Sequence, residues 1–375
     1  MTEDRTPWRP TAAAPAPDAL VALGWDDRVA AACAGIDASW RLGRVIRNTR
    51  RFTYVGTESG LVPAMAEVGL EPPPVAGDWV AIDVGDQEGS EIVRAVAPRW
   101  SELRRRDPSG TSGEQVLAAN VDVVLIVLGL DRPVKVGRVE RSLVVGFESG
   151  ATPVVVLTKS DAVAPEDLAA VLADLAPSVG DVEVHVLSST TGEGVEAVRR
   201  HLEGNHTLVL LGESGAGKST LANRLAGIEL QRTAEVREGD AKGRHTTVTR
   251  DLIVLPAGGV LIDTPGIRGL GLVDADEGLA AAFGDIEALA ESCRFRDCTH
   301  QAEPGCAVRA AVQAGTLPAE RLDRYLLLGA ELDAAADAKV DAERRRSDKS
   351  ADKSMKAGYR SRDGDDDERR GRRNR

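Results

Sequence analysis

The residue run Gly212–Thr220 has the composition of a loop that binds phosphate. Its sequence, GESGAGKST, fits the pattern GxxxxGK[ST] and lies between the apolar run LVLL and a predicted helix. Glycines let backbone N–H groups turn toward phosphate oxygens, and the helix N-terminus adds positive potential. We expect Lys218 to reach the β- and γ-phosphates and Ser219 to coordinate Mg²⁺; the alternative is a Gly-rich turn without a ligand. The predicted binding residues here are Gly212, Glu213, Ser214, Gly215, Ala216, Gly217, Lys218, Ser219 and Thr220.

Four residues at the end of a predicted buried strand, Thr158-Lys159-Ser160-Asp161, indicate which base is bound. The Asp161 carboxylate can accept both N–H groups on the Watson–Crick edge of guanine, a donor pair that adenine lacks. Lys159 can lay its aliphatic stem along the purine face. The usual guanine motif has Asn where this chain has Thr158, so one polar contact is altered. Taken alone, these four residues fit an ordinary charged loop equally well; beside the phosphate loop they predict a guanine nucleotide.

Two further loops complete the predicted nucleotide site. Leu187–Gly192 follows the next strand, and its Ser188 and Ser189 suit a loop that closes over the guanine oxygen, although Ser/Thr/Gly loops are common. Asp263-Thr264-Pro265-Gly266 follows the strand GVLI, so Asp263 can hold the Mg²⁺ shell and the Gly266 N–H can face the γ-phosphate. A plain Pro-Gly turn is the alternative there. In the run Gly243-Arg244-His245-Thr246-Thr247, either Thr246 or Thr247 is expected to reach Mg²⁺.

A separate cluster near the C-terminus predicts a metal site. Cys293, Cys298, His300 and Cys306 form the pattern C-x4-C-x-H-x5-C. Three thiolates and one imidazole suit a closed tetrahedral Zn²⁺ site with a structural role, and buried cysteines beside an unrelated histidine are the alternative. The remaining cysteine, Cys33, is expected to be a free thiol.

The hydrophobic pattern predicts the elements that position these residues. Buried runs such as VDVVLIVLGL alternate with amphipathic segments, with helices expected over 136–148, 164–176 and 194–203, which indicates a doubly wound α/β domain. Short alternating runs broken by Gly, Pro and Asp, over about 38–106, predict a small all-β barrel or sandwich. All five tryptophans precede residue 101, which marks a boundary after this region.

Composition and charge exclude several classes of protein. The 375-residue chain has a formal net charge of −12, so any nucleic-acid contact must come from local basic patches. The first ten residues do not form a signal peptide, and the longest apolar run, Val121–Leu130, is too short to cross a bilayer. We therefore expect a cytoplasmic protein, without membrane contact and monomeric.

The order of the motifs points to a particular family. The base-reading loops precede the phosphate loop, which precedes the runs at 243–247 and 263–266, so the usual GTPase order is circularly permuted. With Ala118-Ala119-Asn120-Val121-Asp122, the run at 243–247 and the Cys/His cluster, the chain resembles the ribosome small subunit-dependent GTPase A family, the YjeQ/EngC-like proteins. The resemblance implies an N-terminal OB-like barrel, binding to the 30S ribosomal subunit and its 16S rRNA, and GTP hydrolysis to GDP and phosphate during late subunit maturation.

The fold class expected is therefore multidomain: an all-β OB-like barrel, a circularly permuted α/β P-loop GTPase domain and a mostly helical zinc-binding module. The predicted boundaries are a disordered extension (1–37), an OB-fold RNA-binding domain (38–110), the GTPase domain (111–275), the zinc-binding helical domain (276–340) and a disordered charged tail (341–375). Two alternatives stay open, a permuted GTPase of another ribosome-assembly step and a non-catalytic GTP-dependent RNA-binding module.

Catalysis is expected to depend on Lys218 and His245. Ile267 follows the DTPG run, where a water-orienting Gln is common, so unaided turnover should be slow. Binding to the small ribosomal subunit would order 233–250 and let His245 place the attacking water; a surface loop histidine is the alternative. Because the zinc module follows Gly266 closely, we also predict that nucleotide state shifts that module relative to the β-domain.

Two arginine clusters carry the predicted RNA contact. They lie near Trp40 and Trp100, so the clusters could track phosphates while the indole rings stack on bases. A solvated face beside core tryptophans is the alternative. The arginines are Arg41, Arg44, Arg47, Arg50 and Arg51 in the first cluster, and Arg99, Arg104, Arg105 and Arg106 in the second.

Overall fold

The computed structural model describes residues 18–49, 51–84, 91–106, 114–227, 251–263, 275–341 and 344. Several predicted site residues lie outside these ranges: His245, Thr246, Thr247 and Gly266, together with nearly all of the C-terminal tail. Asp263 ends a described strand, but its side chain is not described. Within the described ranges, no helix has both the length and the apolar character needed to cross a bilayer.

Five strands near the N-terminus form a closed barrel, as the alternating pattern predicted. They are β1 (Arg41–Asn48), β2 (Thr53–Thr57), β3 (Gly60–Ala66), β4 (Trp79–Val84) and β5 (Glu91–Val96). Strand β1 pairs with both β2 and β4, β3 pairs with β2 and in parallel with β5, and β4 pairs with β5, which closes the ring. Its interior is filled by Val45, Val55, Ala64, Val80, Ile82 and Val93.

The expectation of disorder over 1–37 is wrong for the part that the structure describes. Two short helices, α1 (Asp18–Ala22) and α2 (Asp27–Cys33), precede the barrel. They are held by burial, because Leu20 and Val29 are both 0% exposed. Trp25 meets Trp79 edge-on, with ring centroids 5.2 Å apart. These helices therefore form part of the core around the barrel.

A hairpin that the sequence did not predict joins the barrel to the next domain. Strands β6 (Glu102–Arg106) and β7 (Glu114–Ala119) form a separate two-stranded antiparallel sheet. Leu103 and Leu117 are buried within it. The expected domain boundary at 110 falls between these strands, outside the described residues.

The central domain is the predicted α/β sheet. Its elements are β8 (Val123–Gly129), α3 (Val136–Glu148), β9 (Thr152–Thr158), the 3₁₀ turn η1 (Ser160–Ala162), α4 (Pro165–Val179), β10 (Val184–Val186), α5 (Val195–Arg199), the 3₁₀ segment η2 (Arg200–Asn205), β11 (Thr207–Leu211), α6 (Lys218–Ala226), β12 (Asp251–Val254) and β13 (Val260–Asp263). The strand order is β10-β9-β8-β11-β13-β12, with β12 antiparallel to β13 and the other five strands parallel. Strand β12 also meets β1 of the barrel at Arg47↔Asp251.

The C-terminal region is helical and packs on the central domain. It contains α7 (Asp276–Ala282), α8 (Gly284–Ala290), α9 (Ala307–Gln313) and a helix over 319–341. Helix α7 approaches α3 so closely that a Cβ on Gly278 would lie 2.3 Å from the Val144 carbonyl oxygen. Glu140 of α3 is fully buried and pairs with Arg321 and Arg324 of the last helix. The two regions are thus joined by both backbone contact and buried charge.

Candidate nucleotide site and metal centre

The phosphate loop connects β11 to α6 at the carboxyl edge of the parallel sheet. Gly212, Gly215 and Gly217 have φ values of 152°, 78° and 92°, which favour glycine. The loop also lies tightly against β8, because a Cβ on Gly212 would lie 2.2 Å from the Val127 carbonyl oxygen. Glycine is therefore required at Gly212 by contact as well as by backbone angle.

Lys218 begins α6 and turns back over the loop. Its Nζ donates to the carbonyl oxygens of Gly212 and Glu213, each at 2.6 Å. Ser219 follows in the first turn of the same helix. Strand β13 lies beside β11 in parallel, with Val209 opposite Ile262, so Asp263 follows at the same edge of the sheet. The fold thus brings the three predicted phosphate and magnesium residues to one edge.

The base-reading loop is fixed to the phosphate loop by two side chains. The Thr158 hydroxyl lies 2.6 Å from the Ala216 carbonyl oxygen and 3.2 Å from that of Leu128. The Lys159 ammonium donates to the Gly215 carbonyl oxygen at 2.7 Å and to Asp131 at 2.8 Å. Thr158 therefore has a structural contact of its own.

Asp131 is a site residue that the sequence reasoning missed. It follows β8, whose neighbour in the sheet is β9, and the hydrogen bond from Lys159 lowers the pKa of its carboxyl group. Polar residues at the carboxyl ends of adjacent parallel strands meet at one edge, so its position after a buried strand was the available signal.

The three residues predicted to contact guanine differ in exposure. Asp161 lies on the 3₁₀ turn and is exposed to solvent. Ser188 is fully buried, and its hydroxyl accepts from the Thr191 backbone N–H at 3.1 Å, which shapes the loop. The Ser189 hydroxyl is buried and has no hydrogen-bond partner among the described residues. A buried hydroxyl without a partner is costly, and a ligand group could satisfy it.

The Cys/His cluster is assembled in space as the spacing predicted. Ligand atoms of Cys293, Cys298, His300 and Cys306 all lie within 4.8 Å of one another. The His300 Nδ1 is 3.7 Å from the Cys293 Sγ and 3.4 Å from the Cys306 Sγ. Backbone N–H groups of Ala307 and Arg309 point at two of the sulfur atoms, at 3.3 and 3.5 Å. These donors favour thiolates, so the residues fit a tetrahedral Zn²⁺ ion.

Glu303, which is not a predicted ligand, shapes the loop between His300 and Cys306. Its carboxylate accepts from the Thr299 hydroxyl and from the backbone N–H groups of Thr299, Gln301 and Ala302, at 2.5 to 3.1 Å. The Thr299 hydroxyl and the backbone N–H groups of Glu303 itself, Thr299 and Ala302 lower the pKa of Glu303 to about 2. The loop around His300 is therefore held by a permanently charged carboxylate at neutral pH.

The predicted RNA-binding arginines separate into structural and exposed groups. Arg44 is 1% exposed and donates to three backbone carbonyls, so its assignment to an RNA surface is wrong. Trp100 is half-buried, with the Arg28 guanidinium carbon 4.4 Å from its ring centroid. Arg41 pairs with Glu91 and Arg99 with Asp78. Arg47, Arg51 and Arg104 are exposed, and of these Arg47 pairs with Asp251 and Arg104 with Glu102.

Comparisons with known proteins find relatives that match most of this chain. The family model described as RsgA GTPase matches residues 96–273. A relative from Streptomyces avermitilis, "Small ribosomal subunit biogenesis GTPase RsgA", is 46% identical over 337 residues, covering 87% of this chain and 90% of that protein. One of the same description from Methanosarcina acetivorans is 38% identical over 314 residues, covering 82% and 84%.

Two solved structures are similar in fold. The crystal structure of YjeQ from Thermotoga maritima matches with a TM-score of 0.59 and 25% identity, over 78% of this chain and 98% of that one. YloQ, titled a circularly permuted GTPase, matches with a TM-score of 0.57 and 24% identity, over 79% and 96%. The permuted motif order, the barrel and the coverage of the curated relatives agree, and the chain belongs to the RsgA GTPase family.

Proposed function

We propose that this GTP hydrolase acts in small ribosomal subunit biogenesis, binding the 30S subunit and its 16S rRNA and hydrolysing GTP to GDP and phosphate when the subunit stimulates it. The observation that supports this most directly is the Lys159 bridge from the base-reading loop to the Gly215 carbonyl of the phosphate loop. The bridge holds the proposed base-reading loop against the proposed phosphate loop. The described function of the relatives, small ribosomal subunit biogenesis, supports the ribosomal step.

Each loop at the carboxyl edge of the sheet binds a different part of the nucleotide. The backbone N–H groups of the phosphate loop hold the phosphates, while Lys218 leaves the carbonyls of its own loop to reach the β- and γ-phosphates. Asp161 accepts both N–H groups on the Watson–Crick edge of guanine. The Ser189 hydroxyl, which has no hydrogen-bond partner among the described residues, binds the base directly or through a water molecule. Thr158 keeps the two loops in register in place of the usual Asn.

Two metal ions belong to this proposal. Ser219 and Asp263, with Thr246 or Thr247, hold the Mg²⁺ that accompanies GTP and neutralises charge on its phosphates. One structural Zn²⁺ is held by the Cys/His cluster, whose ligand atoms lie within 4.8 Å of one another. The N–H donors at the sulfur atoms favour that ion, and the loop closed by Glu303 orients His300.

Hydrolysis is assigned to Lys218 and His245. Ile267 cannot orient a water molecule, so His245 is proposed to place the attacking water once the subunit orders the 233–250 segment, and the Gly266 N–H to face the γ-phosphate. The test is the hydrolysis rate of the His245→Ala variant with and without 30S subunits. Stimulation equal to that of the unmodified protein would remove His245 from the mechanism.

The barrel is proposed as the rRNA-binding surface, with Arg47 and Arg51 as its exposed cations and Arg104 on the adjoining β6–β7 hairpin. The cellular setting is the cytoplasm, where ribosomal subunits assemble, and the protein is proposed to act as a monomer. The domain divisions at 38–110, 111–275 and 276–340 remain part of the proposal, and the first boundary falls between β6 and β7 of the hairpin.

The decisive experiment compares GTP hydrolysis with 30S subunits, with 50S subunits and with neither. Strong stimulation by 30S subunits alone is expected, and equal stimulation by 50S subunits would point to another assembly step. The Asp161→Ala variant should lose its preference for GTP over ATP. Asp167→Ala, at a nearby exposed Asp on α4, is the matched control and should keep that preference.

A further inference from the structure

A second group of metal-ligating side chains lies on the far edge of the central sheet. Glu183 and His185 flank the start of the edge strand β10, and His201 lies on the 3₁₀ segment η2. One ligand atom from each of the three residues lies within 4.8 Å of the other two. The group shares no residue with the nucleotide site or with the Cys/His cluster.

The three side chains converge through their ligand atoms. The Nε2 atoms of His185 and His201 are 2.9 Å apart. The Glu183 carboxylate lies 3.1 Å from the His185 Nε2 through one oxygen and 3.5 Å from the His201 Nε2 through the other. Ligands bound tetrahedrally to zinc at about 2.05 Å are about 3.3 Å apart. The observed separations bracket that value.

The facing imidazole nitrogen atoms also suit a cation. Two facing Nε2 atoms share at most one proton in a hydrogen bond, whereas two neutral rings present two lone pairs to one ion. His185 is 8% exposed, while Glu183 is exposed, so the site is open to solvent on one side.

We propose that Glu183, His185 and His201 bind one divalent transition-metal ion of the zinc class, with water in the remaining position. Two imidazoles and a carboxylate are a ligand set that zinc accepts. Bound there, the ion joins β10 to η2. It thereby closes the stretch between them, which carries the guanine-loop residues Ser188 and Ser189.

The test measures zinc bound per chain in untagged full-length protein, by equilibrium dialysis against Zn²⁺ followed by elemental analysis. Two ions per chain are expected, one at the Cys/His cluster and one here. His201→Ala should bind one ion. His206→Ala removes a nearby exposed histidine outside the group, so it is the matched control and should bind two.

Two further measurements separate loss of the site from loss of the fold. Circular dichroism of His201→Ala should match that of the unmodified protein. Glu183→Gln, a change at an exposed position, should weaken the second ion by roughly tenfold or more while the first stays bound. One ion per chain in the unmodified protein, or two in His201→Ala, would overturn the proposal. Because the readout is metal content, the outcome is independent of GTP hydrolysis and ribosome binding.

Discussion

Replacing Glu140 with Gln tests how the C-terminal helices are held on the GTPase domain. Glu140 lies on α3 and is 0% exposed, and its Oε1 accepts from Ser178 at 2.7 Å and from Arg321 and Arg324 at 3.0 Å each. Glutamine preserves the shape but removes the charge, so two guanidinium groups lose their buried counter-ion.

The loss of stability in Glu140→Gln depends on which contacts the two arginines keep. Breaking a buried ion pair by removing one partner costs about 3–5 kcal/mol, because a charge stays buried without compensation. Arg321 keeps its contacts to Asp285 and to the Ala282 carbonyl oxygen, which places the expected loss at the lower end, about 3 kcal/mol. Local opening of the C-terminal helices should therefore become roughly a hundredfold more frequent.

Native-state hydrogen exchange of peptides from α7 and from the helix over 319–341 measures that opening. The matched control is Glu331→Gln, because Glu331 pairs with Arg141 across the same two helices but the pair is partly exposed, at 40% and 35%. A pair that water reaches contributes up to about 1 kcal/mol, so the control should change exchange less than tenfold. Equal exchange in the two variants would refute the role assigned to buried charge.

Three other predictions concern the sites. Lys159→Ala should raise the Kd for GTP and GDP by roughly tenfold, because a charged donor to the phosphate loop is lost; titration with a fluorescent nucleotide measures this, and an unchanged Kd would contradict it. Glu303→Ala should weaken zinc binding by roughly tenfold in competition with a chelator, since the loop around His300 loses four hydrogen bonds. Burial raises the pKa of Cys33 to about 12, so Cys33 in the native protein at pH 8 should resist alkylation. Mass spectrometry measures the modification, and rapid modification would mean that the N-terminal helices detach.

The phosphate loop and the Cys/His cluster could be predicted from sequence because the residues of each lie within a short stretch of chain. The phosphate loop needs a strand, three glycines and a helix start within a few residues, and all of these are visible in sequence. The Cys/His spacing likewise fixes a compact loop. Helix α3 was predicted with its observed bounds, since its apolar face repeats along thirteen residues.

Features that depend on distant contacts were not predictable in this way. Helices α1 and α2 have five and seven residues, too few to be stable alone, and they fold because Leu20 and Val29 are buried by residues far along the chain. Arg44 reads as a surface cation, but its donors meet carbonyls of Leu23, Gly77 and Asn120. Neither the folding of α1 and α2 nor the burial of Arg44 can be read from the neighbouring residues in sequence.

Because the GTPase motifs are permuted, the metal-binding helices follow β13 directly, and the buried Glu140 fixes these helices to α3. The chain leaves β13 at the phosphate edge and reaches α7 within residues 264–275, and α7 then lies against α3 with Gly278 in backbone contact. Both ends of that short connection are therefore held by the GTPase domain. A nucleotide-driven shift of the metal-binding helices relative to α3 would have to break the Glu140 contacts. Among the described residues, the barrel strands pair with the central sheet at Arg47 and Asp251. We therefore expect that any shift between the metal-binding helices and the barrel carries α3 along with those helices.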